Sequence, residues 1–499
     1  MDNCMVQQVN TEPPLAAMLL RTSLQPLTEQ LAERFASRIR DRLLAPGSRL
    51  PSVRQCAAQQ AVSPSTVVAA YDLLQAQGLV EARRNRGFFV RDGAARPRTG
   101  DSAPALPERP LDAGDARRRN LPISAATLMR GMFQPISGKP QPGMGVLPAD
   151  WIETEPLAAS LRKVTVAATV RETSVRYGEP IGDARLRRVL AGRLAAMGID
   201  ARAEQIITTV GATQALDIIS RTLLKPGDTV MVEEPGWAVE FARLAALGMH
   251  ILPVPRGPEG PDLAVMARYC EAHAGTPRAP RLFVSVSVLH NPTSACLAPA
   301  SAHRVLQLAE QHGFWVAEDD SYSHLAPEHA TRLAMLDGLR RTIYVGGFAK
   351  ILTPNWRVGF LAAPTDLVEP LLDTKLLSTL TTPSLLERAL AHCIELGQLR
   401  RHVERVRTRL DAARSRSVRL ASHAGCSFAA EPAGLFGWID TGVDTDQLAL
   451  RMLDEDYLLA PGALFHANRR PSTLMRINFA TTQDAAFWKV FERVRGSMA

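Results

Sequence analysis

The chain has 499 residues, and its hydrophobic content of 46% is ordinary for a globular protein. A chain of this length is too long for one hydrophobic core, so we expect about three domains or lobes. The 58 Lys and Arg residues outnumber the 50 Asp and Glu residues, which permits an anionic partner. No apolar run approaches membrane-spanning length, which excludes a membrane-spanning helix.

The six cysteines are far apart in the sequence, and no two of them have the CxxC spacing. This pattern favours reduced thiols over a disulfide framework or a zinc site, so we predict no metal. The beginning of the chain carries acidic residues and prolines rather than a signal peptide. We therefore expect a cytoplasmic protein without a membrane anchor.

The first ninety residues predict three helices and a hairpin. Between 26 and 44 apolar residues recur every fourth position, which gives one apolar helix face, and Pro46 and Gly47 end the helix. A second helix is predicted over 52–60. The third follows Ser63, a good N-cap, and has Pro64 in its first turn. Two strands around a basic turn at 84–87 then predict a wing after this helix-turn-helix. The apolar helix face consists of Leu27, Leu31, Phe35, Ile39 and Leu43.

Three ordered motifs over about 24–92 resemble the winged helix-turn-helix of GntR-type bacterial repressors. They are GSRLPSVR at 47–54, VSPSTV at 62–67 and GFFV at 87–90. The resemblance implies that this domain binds double-stranded DNA. The alternative to DNA binding is a winged helix that contacts other proteins, with its basic side chains exposed to solvent and bound to nothing.

Six side chains are the candidates for DNA contact. Those at the amino end of the third helix can meet phosphates and base edges, those of the wing can enter the minor groove, and one arginine can reach the duplex from the second helix. They are Ser63, Ser65 and Thr66 on the third helix, Arg84 and Arg86 on the wing, and Arg54 on the second helix. Many relatives have arginine where this chain has Pro64, so the operator cannot be inferred by analogy.

Residues 93–120 are rich in Pro, Ala, Arg and Asp and have no apolar periodicity. They predict a flexible, partly extended linker. Its arginines could add non-specific phosphate contacts, although a solvated tether is the favoured interpretation.

From 121 to 499 strand-like and helix-like segments alternate, which predicts an α/β domain with a mainly parallel sheet. Polar residues follow the ends of several apolar strands, and the carboxyl ends of parallel strands meet at one edge, where ligands bind. Residues 205–210 predict a strand, and Gly211 after it begins a helix whose free backbone amides can bind a phosphate. After 342–345, a glycine turn delivers Lys350 into an apolar pocket, where its neutral amine can form a Schiff base. Arg357, seven residues after Lys350, could bind a phosphate with two parallel hydrogen bonds.

Together these clusters resemble the fold type I pyridoxal-phosphate enzymes, the aspartate aminotransferase class, over about 122–499. The resemblance implies a large lobe at about 166–360 and a small lobe formed by 361–499 with 121–165. It implies that pyridoxal 5'-phosphate forms a Schiff base with Lys350 and that Asp319 keeps the pyridine nitrogen protonated. Asn291 and Tyr322 match the partners of the phenolic oxygen of the ring, and Trp237 matches the stacking aromatic.

The same resemblance implies where phosphate and substrate bind. Ala212, Thr213 and Arg357 fall at phosphate-binding positions, and Arg476 matches the arginine that grips a substrate α-carboxylate with two hydrogen bonds. Tyr177 resembles the tyrosine that reaches the phosphate of the partner subunit, which implies a homodimer. Two departures are Gly347, where relatives often have a phosphate-binding serine, and Ser294, which replaces the glycine of Asn-Pro-Thr-Gly. Cofactor binding is still expected, while catalytic efficiency stays open.

A GntR-like DNA-binding domain linked to an aminotransferase-like domain resembles the MocR subfamily of bacterial transcription regulators. The resemblance implies that the small domain binds DNA and that the large domain binds pyridoxal phosphate and senses the cofactor or an amino compound. The rival hypothesis is an active aminotransferase with an accessory DNA-binding domain, and residual transaminase activity fits either hypothesis. A regulator that has lost the cofactor is disfavoured by the intact set of Lys350, Asp319 and Arg357.

Overall fold

The computed structural model describes residues 25–40, 44, 46–60, 62–83, 86–91, 139–327 and 329–498. These residues fall into two compact units, and the boundary between the units lies between Lys139 and Pro140. No helix in these ranges is both long and apolar enough to cross a membrane.

The first unit contains the helices and the hairpin that the sequence predicts. Its core is made by the apolar faces of the helices, where the Tyr71 ring packs edge-on against Phe35 with ring centroids 5.7 Å apart. The Tyr71 hydroxyl donates to the carbonyl oxygen of Pro51 at 2.9 Å, which satisfies the polar end of a fully buried side chain. The predicted apolar position Leu43 lies outside the described residues. The elements are α1 (Leu27–Arg40), α2 (Val53–Gln60), α3 (Pro64–Ala76), β1 (Val80–Arg83) and β2 (Gly87–Val90).

The second unit is built on an eight-stranded sheet with strand order β3-β10-β9-β8-β7-β4-β5-β6. The β4, β5, β7, β8 and β9 strands are parallel to their neighbours in this set, while β10 and β6 pair antiparallel at the two sides. The prediction of a mainly parallel sheet is confirmed. The strands are β3 (Ile206–Thr209), β4 (Thr229–Glu234), β5 (His250–Gly257), β6 (Gly260–Pro261), β7 (Pro280–Ser285), β8 (Trp315–Asp319), β9 (Thr342–Gly347) and β10 (Gly359–Ala362).

Helices cover both faces of this sheet, so successive strand residues are buried on opposite sides. Leu282 and Ala317 belong to one hydrophobic cluster, and their sequence neighbours Phe283 and Val316 belong to the other. This explains why the strands read as continuous apolar runs. The helices of this part are α4 (Thr154–Val164), α5 (Ala167–Val175), α6 (Ala184–Ala196), α7 (Ala212–Leu223), α8 (Ala238–Ala246), α9 (Leu263–Ala272), α10 (Pro299–His312), α11 (Leu333–Asp337) and α12 (Val368–Thr379).

The C-terminal part of the unit forms a smaller, four-stranded antiparallel sheet with strand order β11-β12-β14-β13. The segment 140–148 runs beside its strand β14, since the Asn478 amide donates to the Pro142 carbonyl oxygen at 3.0 Å. The N-terminal part of the second unit therefore packs with the C-terminal part. The elements are α13 (Ser384–Glu395), α14 (Gln398–His423), β11 (Ser427–Phe428), β12 (Phe436–Asp440), α15 (Thr445–Asp454), β13 (Ala460–Pro461), β14 (Leu474–Asn478) and α16 (Ala485–Gly496).

Candidate functional site

A glycine turn joins strand β3 to helix α7 and leaves the first amides of the helix without intrahelical partners. Gly211 has φ of 79°, and a Cβ at this position would lie 2.6 Å from Nη2 of Arg357. Only glycine fits both the backbone conformation and this close approach. Ala212 and Thr213 follow as the first residues of α7, and Thr213 is exposed.

Arg357 follows a short 3-10 helix and lies opposite the start of α7. Its Nη2 donates to the carbonyl oxygen of Val210 at 3.0 Å, and the side chain is otherwise open to solvent. The structure thus brings the predicted phosphate-binding groups Ala212, Thr213 and Arg357 to one place. A guanidinium beside a helix amino end is suited to a phosphate dianion.

A cavity opens under Trp237 at the carboxyl edge of the parallel strands. Its lining includes Trp237, Asp319, Glu240 and His290. Asp319 is the last residue of β8, and its Oδ1 accepts hydrogen bonds from the amide of Ser321 at 3.0 Å and from the hydroxyl of Ser321 at 2.5 Å. Burial raises the pKa of Asp319 to about 6, the Ser321 hydrogen bonds oppose this, and the nearby charges of Glu240 and Asp320 add to it.

Lys350 lies in the turn after β9, as the sequence predicts. Its Nζ donates to the carbonyl oxygen of Gly145 at 2.8 Å and lies 5.7 Å from the centroid of the Trp237 ring. Burial lowers the pKa of Lys350 to about 8, and the positive charges of Arg476 and Arg357 lower it further, whereas Asp319 opposes the shift. A lysine with this pKa carries a substantial neutral fraction near pH 8, which a nucleophilic amine requires.

Arg476 on strand β14 is buried and packs among aromatic rings. Its Nη1 donates to Oδ1 of Asn291 at 2.9 Å, and its guanidinium carbon lies 4.3 Å from the Phe436 ring centroid and 6.0 Å from that of Trp237. Its Nε has no hydrogen-bond partner among the described residues. Burial lowers the pKa of Arg476 to about 10. A buried guanidinium with an unused N–H is suited to receive an anion.

Tyr322 and Asn291 lie between these groups. Tyr322 is buried and packs edge-on against Phe436, with ring centroids 5.5 Å apart. Burial raises the pKa of the Tyr322 hydroxyl, while a hydrogen bond to Asn291 and the Arg476 charge oppose the shift. The structure therefore brings together Lys350, Asp319, Asn291, Tyr322, Trp237 and Arg476, and the roles assigned to them stay predictions.

Tyr177 is placed away from this cluster. It follows helix α5 and is 83% exposed. Because its predicted role concerns the phosphate of a partner subunit, a single chain does not bring it to its own site. That role also stays a prediction.

The two departures from the family pattern have clear local settings. A Cβ at Gly347 would meet the amide nitrogen of Ala212 at an ordinary contact distance of 3.8 Å, so the position that faces the phosphate seat has room for a side chain. Ser294 keeps the turn, since its φ of 60° is in the left-handed region, and its hydroxyl donates to the Phe436 carbonyl oxygen at 2.8 Å. It therefore links the loop after Asn291 to strand β12 of the smaller sheet.

In the first unit the predicted recognition helix begins as expected. The Ser63 hydroxyl accepts a hydrogen bond from the Thr66 amide at 3.1 Å and lies within hydrogen-bond distance of the hydroxyls of Ser65 and Thr66. Arg54 and Arg86 are exposed, and Arg84 lies outside the described residues. Their contacts with DNA stay predictions.

Sequence reasoning missed three residues near these sites. Glu240 lies three residues after Trp237 on helix α8, so helical spacing could have placed both on one face toward Asp319. Asn478 follows Arg476 by two positions on β14, and strand alternation could have placed both on one face. The guanidinium of the exposed Arg49 lies beside Gly87, where a Cβ would be 3.2 Å from the arginine Nε.

Comparison with known proteins agrees with this architecture. The family model for aminotransferase class I and II matches residues 144–494, and the model for bacterial regulatory proteins of the gntR family matches residues 27–90. The solved structure of LysN, an alpha-aminoadipate aminotransferase from Thermus thermophilus complexed with N-(5'-phosphopyridoxyl)-L-leucine, is similar with a TM-score of 0.66 and 24% identity. The match covers 74% of this chain and 95% of that one and shows the fold of the second unit.

Two regulators are similar over most of the chain. The probable rhizopine catabolism regulatory protein MocR of Rhizobium meliloti is 31% identical over 394 residues, covering 77% of this chain and 74% of the relative. The uncharacterized HTH-type transcriptional regulator YisV of Bacillus subtilis (strain 168) is 25% identical over 473 residues, covering 93% of this chain and 94% of the relative. The chain belongs to the aminotransferase class I and II family and, because a GntR-type winged helix precedes that domain, to the MocR subfamily of bacterial transcription regulators.

Proposed function

We propose that the protein binds operator DNA through its winged helix and that its second unit binds pyridoxal phosphate and senses an amine or amino acid. One observation carries this proposal. Lys350 and Arg476 both lie within about 6 Å of the Trp237 ring, at the edge of the sheet where Asp319 ends strand β8. The Lys350 amine, the Asp319 carboxyl and the Arg476 guanidinium therefore surround one aromatic ring. This combination suits a charged aromatic aldehyde together with an amine that carries a carboxylate.

The residues present fit pyridoxal phosphate. The start of α7 with Arg357 would hold the phosphate, the Trp237 ring would cover the pyridine ring, and Asp319 in the cavity below would hold a proton on the ring nitrogen. When bound, the cofactor supplies an aldehyde that condenses with amines and a ring that withdraws electrons. Lys350 would be the protein amine that attaches, since burial lowers the pKa of its ammonium group.

Arg476 supports a carboxylated amine as the effector. The guanidinium is buried among Phe436, Phe465 and Trp237, where water competes weakly for its hydrogen bonds. A planar guanidinium in such a site favours a carboxylate over a neutral group.

The first unit supports binding to double-stranded DNA. Ser63, Ser65 and Thr66 carry hydroxyls at the amino end of α3, whose first residue is Pro64. Arg54 and Arg86 are exposed on the preceding helix and on the wing turn. Hydroxyl and arginine side chains are among the groups that contact DNA phosphates, and arginines can also enter the minor groove.

A second copy of this chain is the protein partner that we propose. Large apolar side chains are exposed along α5 and its two ends and at the end of α12, and a contiguous exposed apolar surface of this kind is typical of an interaction site. A Cβ at Gly178, next to Tyr177, would lie 3.3 Å from the Thr382 carbonyl oxygen, so the segment that carries Tyr177 packs near the end of α12. Homodimer formation would cover this surface and deliver Tyr177 to the partner. The exposed residues are Val166, Val170, Val175, Tyr177, Leu377 and Leu380.

The test compares the parent with Lys350→Ala in gel-shift titrations. Fragments of genomic DNA retained by the parent serve as the probe, and each protein is titrated with and without pyridoxal phosphate and a panel of amino acids. Because Lys350 is far in sequence from the winged helix, the variant should bind DNA but lose the ligand response, which is expected to be about 5- to 150-fold in the parent. An equal response in both proteins would contradict covalent sensing through Lys350.

Catalytic transamination is the second candidate function. The pKa of Lys350, about 8, favours this function. An amine whose pKa lies near the working pH can accept and donate protons as a general base and acid. Steady formation of keto acid from an amino acid donor, absent in Lys350→Ala, would support it. No turnover beyond the first exchange would leave the site as a sensor.

A further inference from the structure

Helix α3 presents a largely apolar face to solvent. Residues 62–83 are all described, and the exposed positions along α3 recur with helical spacing. The Val68 side chain is 42% exposed, although it is apolar. The exposed positions between 65 and 73 are Ser65, Val68, Ala69, Asp72 and Leu73.

The opposite face of α3 is held by the core of the first unit. Val67 and Leu74 are buried in that core. The Tyr71 ring, also buried, packs edge-on against Phe88 of strand β2, with ring centroids 4.9 Å apart. These contacts fix the rotation of α3 about its own axis, so the face that carries Val68 is turned away from the core.

The amino end of α3 carries short hydroxyl side chains that bond to one another. The Ser63 hydroxyl lies 2.7 Å from that of Ser65 and 2.8 Å from that of Thr66. Residues 63–73, which the structure describes in full, include no arginine, lysine, asparagine or glutamine. Those four side chains are the ones that bond to two atoms of a guanine or adenine edge at once. This stretch of α3 therefore lacks the groups that read purines in that way.

An acidic side chain limits how much of α3 can lie against a duplex. Asp72 is exposed, and its carboxylate repels DNA phosphates. The amino-terminal residues of a recognition helix are those that contact base edges in the major groove. Together these two constraints place the base-reading stretch at 63–69, where the exposed apolar side chains are Val68 and Ala69.

We propose that Val68 and Ala69 read the C5-methyl groups of thymines in the major groove, so that the operator has A·T pairs at these positions. The thymine methyl is the apolar group that this groove presents. Packing it against Val68 removes apolar surface of both groups from water. At a G·C pair the same side chains would cover polar groups of the base edge without bonding to them, which is unfavourable. The inference rests on the proposed function and adds the class of DNA sequence that is bound.

Removal of the thymine methyls from the DNA tests the inference. The probe is the shortest genomic fragment that the full-length parent retains, made once with thymidine and once with deoxyuridine, which pairs in the same way but lacks the C5 methyl. Fluorescence anisotropy at one salt concentration gives both affinities, because the phosphate contacts then contribute equally. Loss of one well-packed methyl costs about fourfold in affinity, so the parent should prefer the thymine duplex by at least that factor. Equal affinities would overturn the inference.

Variants of Val68 show whether the preference arises on α3. Val68→Ala introduces a good helix former and should lower the preference to about twofold or less. Val68→Ile keeps a branched apolar side chain and should retain the preference of the parent. Leu73→Ala is the matched control, because Leu73 is an exposed apolar residue of the same helix beyond Asp72. A preference that is unchanged in Val68→Ala, or lost to the same extent in Leu73→Ala, would overturn the assignment to Val68.

The outcome can be separated from that of the proposed function. If the parent retains genomic DNA but binds the thymine and uracil duplexes equally, the readout of methyl groups fails and DNA binding stands. If the parent retains no DNA, the proposed DNA binding fails and the inference falls with it. If ligands do not change DNA binding but the thymine preference depends on Val68, the proposed sensing fails and the inference stands.

Discussion

Asp319 and Asp320 are adjacent in the sequence, but their carboxylates lie in different surroundings. Oδ2 of Asp320 accepts hydrogen bonds from Nε of Arg332 at 2.6 Å and from the Tyr344 hydroxyl at 2.9 Å, in a fully buried position. Asp319 is half-buried, bonds to Ser321 and lines the cavity. Strand alternation sends the two side chains to opposite sides, so one supports the fold and the other faces the site.

The Asp319→Asn protein should keep its stability and still attach pyridoxal phosphate at Lys350. It should react poorly with amino acids, because an amide does not hold a proton on the pyridine nitrogen as a carboxylate does. Borohydride reduction followed by mass spectrometry checks the attachment, and the spectral change on adding amino acids checks the reaction. Asp320→Asn, the control, should lower the unfolding free energy by about 3 kcal/mol, because it leaves the buried Arg332 without a charged partner. Parent-like amino acid reactivity in Asp319→Asn would remove it as the ring partner.

The rate of attachment at Lys350 should rise with pH around a midpoint near 8, well below the value of an exposed lysine. In Arg476→Gln the midpoint should move upward, because a positive charge that lowers the pKa of Lys350 is gone, but burial should keep it below the ordinary value. Attachment is followed by absorbance in phosphate-free buffer at fixed ionic strength. Arg162→Gln, which removes an exposed charge, is the control and should keep the midpoint of the parent. If its midpoint rises as much as that of Arg476→Gln, the shift does not come from the charge of Arg476 beside Lys350.

The buried Lys350 should lower the unfolding free energy of the cofactor-free protein at neutral pH. Its pKa is about 8 in the folded protein and higher when unfolded, so between these values the unfolded chain binds more protons. Stability should therefore increase as pH rises from about 8 toward the ordinary lysine pKa. Lys350→Met should be more stable than the parent below pH 8, and the difference should shrink at higher pH. Denaturant titrations of both proteins across this range check the sign, and a parent that loses stability relative to the variant as pH rises would contradict it.

Gly347→Ser should tighten pyridoxal phosphate binding. A Cβ at this position meets only ordinary contacts, and it would lie 3.8 Å from the Ala212 amide at the phosphate seat. An added hydroxyl bond to a charged phosphate is expected to contribute about 1.5–3 kcal/mol. Gly347→Ala controls for the added carbon, and equilibrium dialysis measures the affinity. Equal affinity in the serine and alanine variants would show that position 347 does not reach the phosphate.

Arg54→Ala and Arg86→Ala should each weaken binding to retained genomic fragments and reduce the slope of log affinity against log salt by about one unit. Arg49→Ala should do the same, since its guanidinium lies beside the wing residue Gly87. Arg162→Ala removes the same charge from an exposed ion pair in the second unit and should leave the slope unchanged. Fluorescence anisotropy across a salt series checks these values, and parent-like slopes would remove the arginines from the interface.

The sequence determined the order of the elements and much of the chemistry of the site. Ser63 and Pro64 marked the start of α3, because capping and proline geometry are local properties. Apolar strands followed by polar residues predicted that Asp319, Asn291 and Lys350 would meet at one sheet edge, because parallel strands impose that convergence. The end of a strand was not predictable in this way: β7 ends at Ser285, although Val286 and Val288 follow it, since hydropathy does not record where a ladder of hydrogen bonds stops.

Only the tertiary structure decided what surrounds those residues. The bonds from Arg476 to Gly143 and from Lys350 to Gly145 join positions that are far apart in the sequence, and glycine backbones carry no side-chain signal that could predict them. The same holds for the shifts in pKa, since the burial that lowers the pKa of Lys350 is produced by chain segments packed around it. Residue types and local periodicity set which groups are available, whereas long-range packing sets their partners, their charge states and the backbone that holds them.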